Sequence, residues 1–359
     1  MGVTILTGDV LAMLATLDDE SVDCVVTSPP YWGLRDYEVD GQIGLELTLA
    51  EHLEVMVRVF DEIKRVLKPT GTVWLNYGDC YATSPNGRSA ADTKALGDDD
   101  RTFRDKPFST IQGNLKPKDL CMIPNRLAIA LQNAGWWVRA ECVWAKPNPM
   151  PESVKDRPAT SHEKIWLLTK TAKYFYDADA VRVPAQQSSI DRWAQDIDAQ
   201  SGSTRANGGR KTNGNMKAVG GPRRKNENAN SFRGGSYVGG QPSPRSAVGN
   251  QPGTGDRSLR NYEPAPIEVW PMATRPFKDA HFATFPPELA ERCIKAGCPA
   301  GGVVLDPFGG AGTTGLVADR LQRDCILIEL NPEYVELARE RIDADAGMFS
   351  PISDTEIDK

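Results

Sequence analysis

A hydroxyl, two rigid carbonyls and an aromatic face follow one another in Thr27-Ser28-Pro29-Pro30-Tyr31-Trp32, directly after the apolar run Val22-Asp23-Cys24-Val25-Val26. Proline has no N–H and a fixed φ, so the run reads as a core strand that stops at a loop held in one shape. Carbonyls beside the prolines can accept hydrogen bonds from a substrate amine, and Tyr31 or Trp32 can lie against a planar ring. The same residues also fit a plain proline turn or a polyproline-type ligand. A second constellation, far along the chain, decides between these readings.

It is Asp306-Pro307-Phe308-Gly309-Gly310-Ala311-Gly312-Thr313-Thr314, which follows the apolar Val303-Val304-Leu305 and precedes a helical stretch ending near Leu321. The next strand, Cys325-Ile326-Leu327-Ile328, ends at Glu329, 17 residues beyond Gly312. Strand, glycine-rich turn, helix, strand and acid is the layout of a nucleotide-binding crevice, with the acid on ribose hydroxyls. The glycines let a ligand approach the backbone closely. The turn holds no lysine for phosphates, which excludes a P-loop. A pocket flanked by carboxylates suits a cationic, phosphate-free cofactor, and S-adenosylmethionine fits that description.

The elements that must position these loops alternate. Thr4-Ile5-Leu6 reads as a strand, Val10 to Leu17 as a helix, and Val22 to Thr27 as a strand. A helix from Leu49 to Leu67 carries Leu53, Val57, Phe60, Ile63 and Leu67 at helical spacing, and Lys68-Pro69-Thr70-Gly71 stops it. Strands are expected at Thr72–Tyr77, Trp136–Trp144 and Lys164–Thr169, and a helix over Pro124–Ala134. The polar stretch Ser84–Lys118 reads as a long loop outside the core. Near the C-terminus a helix runs from Glu288 to Ala296, closed by Gly297, and a last helix runs from Pro332 to Ile342. This alternation predicts an α/β fold with a doubly wound, Rossmann-like sheet. Four regions follow: a catalytic half (1–185), a basic variable segment (186–264), a cofactor half (265–347) and a frayed tail (348–359).

Composition narrows the class. With 40% hydrophobic and 25% charged residues, the 359-residue chain is an ordinary globular protein. It has neither a signal-peptide pattern nor an apolar run of the roughly 20 residues that span a bilayer, so a cytoplasmic location is expected. Seven scattered cysteines without a Cys-x-x-Cys pair argue against a disulfide framework and against a zinc site, and no metal is expected. The net charge of −6 hides an asymmetry, because Ser201–Tyr262 holds eight Arg and three Lys against only Glu227 and Asp256. A basic insertion on an acidic body fits a polyanion, with Arg223, Arg224, Lys225 and Arg233 on phosphates and Phe232, Tyr237 and Tyr262 near bases. A disordered linker fits parts of the same stretch.

Together, Thr27–Tyr31 and Asp306–Thr314 resemble the two signature motifs of the amino-group DNA methyltransferases, in the order of their β-class permutation. The resemblance covers roughly Thr4 to Ile342. It implies methyl transfer from S-adenosylmethionine to an exocyclic amine of adenine or cytosine in double-stranded DNA, with the target base flipped out. It implies catalytic roles for Ser28, Pro29, Pro30 and Tyr31. It places Asp306, Phe308, Gly309, Gly310, Gly312, Thr313, Glu329 and Asn331 at the cofactor, Asp9 at its adenine amine, and Phe282, Thr284 and Phe285 at its methionine end. Asn76–Asp79 borders the active site, and Trp32, Trp144, Lys146, Asn148, Pro149 and Ser153 border the base. Ser28, where many relatives carry Asp, points to cytosine N4, with adenine N6 as the alternative. RNA or a protein glutamine as substrate, and a DNA-binding protein without catalysis, stay open. A homodimer and a cognate restriction endonuclease are partners that the family implies.

Overall fold

A computed structural model describes residues 2–34, 36–37, 39–84, 108–182, 267–274 and 285–346, together with the backbone of Ile352–Thr355. The basic segment with Arg223, Arg224, Lys225 and Arg233 lies outside these residues, as do Phe282 and Thr284. Met1–Val181 and Ile267–Lys359 form one unit.

Strands β1 (Val3–Thr7), β2 (Val22–Thr27), β3 (Leu67–Tyr77), β4 (Trp137–Ala145), β5 (His162–Thr169), β6 (Val269–Pro271), β7 (Val303–Asp306), β8 (Asp324–Glu329) and β9 (Ile352–Thr355) form one sheet. Their order is β6-β4-β5-β3-β2-β7-β8-β1-β9. Among the described strands only β5 runs against its neighbours; β1, β2, β3, β7, β8 and β9 are mutually parallel. The helices are α1 (Val10–Leu14), α2 (Leu49–Val66), α3 (Ile123–Asn133), α4 (Pro287–Gly297), α5 (Thr313–Arg320) and α6 (Pro332–Ala346).

Alternation along the strands divides the core into two layers. Val25, Val73, Leu75 and Tyr77 point to one face and pack with α1, α2 and α3. Cys24, Val26 and Trp74 point to the other and pack with α4, α5 and α6. Strands covered on both faces need continuous apolar runs, and Val22–Thr27 supplies one. The expected doubly wound α/β sheet is therefore the fold.

Several boundaries and faces differ from expectation. Helix α2 begins at Leu49, and a capping box opens it in which the N-cap Thr48 and Glu51 of its first turn exchange hydrogen bonds at 3.1 and 3.0 Å. Its buried stripe is Leu49, His52, Met56, Val59, Phe60, Ile63 and Val66, so Leu53 and Val57 lie on its flank. Lys68-Pro69-Thr70-Gly71 ends α2 but does not form a free turn. It lies within β3 at an irregularity, where the pairing jumps from Val22 with Leu67 to Cys24 with Thr72. Gly297 is the last residue of α4, and its value is closeness: a Cβ there would sit 2.2 Å from the Thr72 Oγ1 and 2.5 Å from the Trp74 Nε1. Within the stretch read as a loop outside the core, Thr110 is fully buried and Phe108 packs on Trp32, with ring centroids 5.5 Å apart. The tail read as frayed supplies β9, which pairs with β1.

Candidate active site

Strands β2 and β7 are parallel neighbours, with Cys24 opposite Val304 and Val25 opposite Leu305. The loops after them therefore leave the same edge of the sheet, although Asp306 follows Ser28 by 278 residues. Ligands of open α/β sheets bind at such carboxyl ends. Thr314, on α5, joins the two strands: its hydroxyl donates to Asp306 Oδ2 at 2.6 Å and lies 3.5 Å from the Val26 carbonyl oxygen.

The glycine turn is held from below by carboxylates. Asp306 is 1% exposed, and its Oδ1 accepts the Phe308 N–H at 3.1 Å. Burial raises its pKa to about 7, against the pull of the Thr314 and Phe308 hydrogen bonds. Glu329 accepts the Gly310 N–H on one oxygen at 2.7 Å and the Asn331 N–H on the other at 2.9 Å. Burial pushes this carboxyl up as well. A carboxylate has about four lone-pair sites, so Glu329 can shape the turn and still accept from ribose hydroxyls. Gly312 caps α5 in the left-handed region (φ +73°), and a Cβ there would meet the Ala338 Cβ at 2.8 Å. Arg341, on α6, donates to the Ala311 carbonyl and to the Thr313 hydroxyl, both at 2.9 Å. Asp9 caps α1, accepting from Leu11 and Ala12 on one oxygen at 3.0 Å.

Across the cavity, Ser28 Oγ donates to the Tyr31 hydroxyl oxygen at 3.2 Å, and the Tyr31 O–H donates to Glu163 Oε2 at 2.9 Å. Lys146 pairs with the other Glu163 oxygen and lies 4.3 Å from the centre of the Trp144 ring. Burial, and then the neighbouring Glu163 carboxylate, hold the Tyr31 phenol well above its usual pKa. The Tyr31 ring stacks on Tyr77, with centroids 4.6 Å apart and planes 27° apart. Gly78 makes this possible, since a Cβ there would lie 2.6 Å from the Tyr31 ring.

One cavity of about 900 Å³ is lined by Asp9, Ser28, Pro29, Pro30, Tyr31 and Asn76. Trp144, Lys146, Asn148, Pro149, Glu163 and Phe285 also line it, as do Asp306, Phe308, Gly309, Gly310, Thr313, Glu329 and Asn331. The structure thus brings together residues expected from both motifs. Of the other expected residues that are described, Gly312 caps α5 behind the lining, Tyr77, Gly78 and Asp79 lie outside it, and Trp32 and Ser153 lie elsewhere. Trp32, expected beside the base, is 0% exposed and donates through Nε1 to the Glu46 carbonyl at 3.0 Å, which makes it part of the core. Ser153 is exposed and outside the lining. Asn148 is at the rim, locked to Thr274 by bonds of 3.2 and 2.9 Å.

Glu163 and Arg341 escaped the sequence reading, which named Gly78 only as part of the border Asn76–Asp79. Glu163 is the second residue of β5 and the cross-strand partner of Trp144, and only strand pairing brings it to Lys146. No cysteine lines the described cavity, and burial raises the thiol pKa values of Cys24, Cys293 and Cys325. Among the described residues no helix is long and apolar enough to cross a membrane.

Residues 22–340 match the N6/N4 methyltransferase family, described as DNA methylase. The chain is 42% identical over 341 residues to the type II methyltransferase M.XycI of Xanthomonas campestris pv. cyanopsidis, covering 95% of this chain and 88% of that one. Among solved structures it is similar to the cytosine-N4-specific PvuII DNA methyltransferase (TM-score 0.56, 18% identity, 96% and 92% covered). It is also similar to TTHA0409, a DNA modification methylase of Thermus thermophilus in complex with S-adenosyl-L-methionine (TM-score 0.53, 20% identity, 98% and 99% covered).

Proposed function

Because the chain belongs to the N6/N4 methyltransferase family of DNA methylases, we propose that it moves a methyl group from S-adenosylmethionine to the N4 amine of a flipped cytosine at a specific site in duplex DNA. The observation that carries this reading is the convergence of Ser28–Tyr31 and Asp306–Gly310 on one cavity from neighbouring parallel strands. The carboxylate-rich floor fits a cationic cofactor: Glu329 suits its ribose, Asp9 its adenine amine, and Phe285 its methionine end. When bound, the cofactor supplies an electrophilic methyl on a sulfonium.

The chain's own residues supply position. One face of Tyr31 is covered by Tyr77, so the target base stacks on the other. The Ser28 hydroxyl and the Pro29 carbonyl accept the amine's hydrogens and turn its lone pair toward the methyl group. Catalysis then rests on in-line placement and on oriented polar groups. Glu163 and Lys146 fix the Tyr31 hydroxyl and close the polar side of the base pocket. Two observations favour cytosine over adenine: a hydroxyl stands at residue 28 where a carboxylate would only accept, and the fold is similar to that of a cytosine-N4-specific enzyme. Similarity to type II methyltransferases supports a defined recognition sequence and a role beside a restriction enzyme. The basic segment, with Arg223, Arg224, Lys225 and Arg233, is the expected DNA reader.

Incubation of DNA with labelled cofactor, followed by digestion and nucleoside identification, tests this directly. N4-methylcytosine is the expected product. N6-methyladenine would overturn the base assignment, and unlabelled DNA would overturn the activity.

A further inference from the structure

Beneath the Pro-Pro-Tyr loop, buried polar groups form a closed circuit with no assigned part in the transfer step. His52 and Tyr77 are both 0% exposed. The Trp32 N–H donates to the Tyr77 hydroxyl at 3.1 Å, and that hydroxyl lies 2.8 Å from His52 Nε2. His52 Nδ1 is 2.8 Å from Glu46 Oε2, and the Trp32 indole N–H returns to the Glu46 carbonyl at 3.0 Å. Four residues from separate parts of the chain thus bond in a ring.

The direction of each bond follows from proton inventory. A carboxylate only accepts, so Nδ1 carries the ring proton toward Glu46. With the imidazole neutral, Nε2 offers its lone pair and the Tyr77 O–H donates to it. The Pro30 carbonyl oxygen, at 3.3 Å, is a second acceptor for the same proton. Both Glu46 carboxylate oxygens also accept the Gly44 N–H, at 3.1 and 3.0 Å. Gly44 has φ +105°, and its carbonyl in turn accepts from Gly33 at 2.8 Å. The loop is therefore tied at residues 30, 32 and 33 to one buried network.

Every bond in the network has a consequence at the surface. Tyr77 underlies Tyr31 as its stacking partner, so fixing the Tyr77 hydroxyl fixes that ring's plane. Buried hydrogen bonds in series strengthen one another and make each break costly. Burial keeps Tyr77 a phenol by raising its pKa. Burial also pushes the Glu46 carboxyl up, but its bonds to His52 and Gly44 outweigh that and hold it low.

We propose that His52 is a positioning residue for methyl transfer: anchored by Glu46, it orients the Tyr77 hydroxyl and so sets the pose of Pro30, Tyr31 and Trp32. The proposal rests on the assignment of Ser28–Tyr31 as the catalytic loop, and it can be tested without DNA. Hydrogen exchange of the Tyr31–Leu34 amides is followed in the full chain for wild type, Tyr77→Phe, His52→Leu and His52→Gln, alongside cofactor affinity and single-turnover methylation. Tyr77→Phe keeps the ring stack and removes only the hydroxyl, so it remains decisive even where His52→Leu fails to fold. Tyr77→Phe and His52→Leu should speed exchange of these amides about tenfold, and His52→Gln, which keeps a polar partner, should recover most of the protection. Methylation should slow in parallel while cofactor affinity stays within about twofold. Unchanged exchange in Tyr77→Phe, or a Gln variant no better than Leu, would overturn the proposal. A wild-type chain that methylates no cytosine would sink the substrate reading and leave the exchange result to stand on its own.

Discussion

Cofactor binding should tighten as pH rises through neutrality, because of Asp306. This carboxyl is 1% exposed, and burial places its pKa at about 7. A cationic ligand in the cavity that Asp306 lines favours the ionised form, so binding expels the proton that the free protein still holds. If the bound carboxylate titrates near its ordinary value of about 4, affinity scales with the fraction ionised in the free protein. That fraction is about one half at pH 7 and about one-eleventh at pH 6, which predicts affinity about tenfold below its plateau at pH 6. Folding of the free protein responds in the opposite sense. The unfolded carboxyl ionises near pH 4 and the folded one only near 7, so this group's stability contribution is complete below about 4. It is lost as pH rises to about 7, by about 4 kcal/mol.

Isothermal titration of the cofactor at pH 6, 7, 8 and 9, in buffers of different ionisation enthalpy, measures both affinity and proton release. Asp306→Asn preserves the shape and removes the titration, and its own pH profile subtracts that of the cofactor's amine. Identical profiles for wild type and variant, or affinity that falls from pH 6 to 8 in wild type alone, would refute the reasoning.

Three shorter predictions concern the loops. Gly312→Ala combines a left-handed backbone penalty of about 1–2 kcal/mol with overpacking against Ala338 of about 1–3 kcal/mol. An unchanged denaturation midpoint would contradict that sum. Tyr31→Ala removes the base's stacking face, worth about 1–3 kcal/mol, and should abolish transfer while leaving cofactor affinity nearly intact; loss of cofactor affinity would show a different role. Glu163→Gln keeps the shape but removes the charge shared by Tyr31 and Lys146, and should slow single-turnover methylation roughly tenfold or more. A wild-type rate would remove Glu163 from the site.

The glycine turn was legible because its chemistry is local: Asp306, Gly309, Gly310 and Gly312 lie within one turn, and Glu329 follows at the end of the next strand. The sheet was legible for a similar reason, since strands buried on both faces must be continuously apolar. What sequence left hidden depends on pairing across the sheet. Glu163 meets Lys146 and Tyr31 only through the register of β4 and β5. Trp32 follows Tyr31, the proposed stacking residue, and shares its aromatic character, but the loop turns it inward onto Glu46. His52 sits on the inner stripe of α2 among Met56, Val59 and Ile63. A polar residue in an apolar stripe is the one local trace of that buried circuit.

Adjacent placement of β2 and β7 carries an evolutionary consequence. The distance between the Ser28–Tyr31 loop and the Asp306–Gly310 turn is set by the spacing of two hydrogen-bonded strands, about 4.8 Å apart, and by their register. It does not depend on which half of the domain is translated first or on how long a segment joins them. If the connecting segment is the proposed DNA reader, natural selection can replace it, and with it the DNA word, while the spacing of the two loops is inherited unchanged.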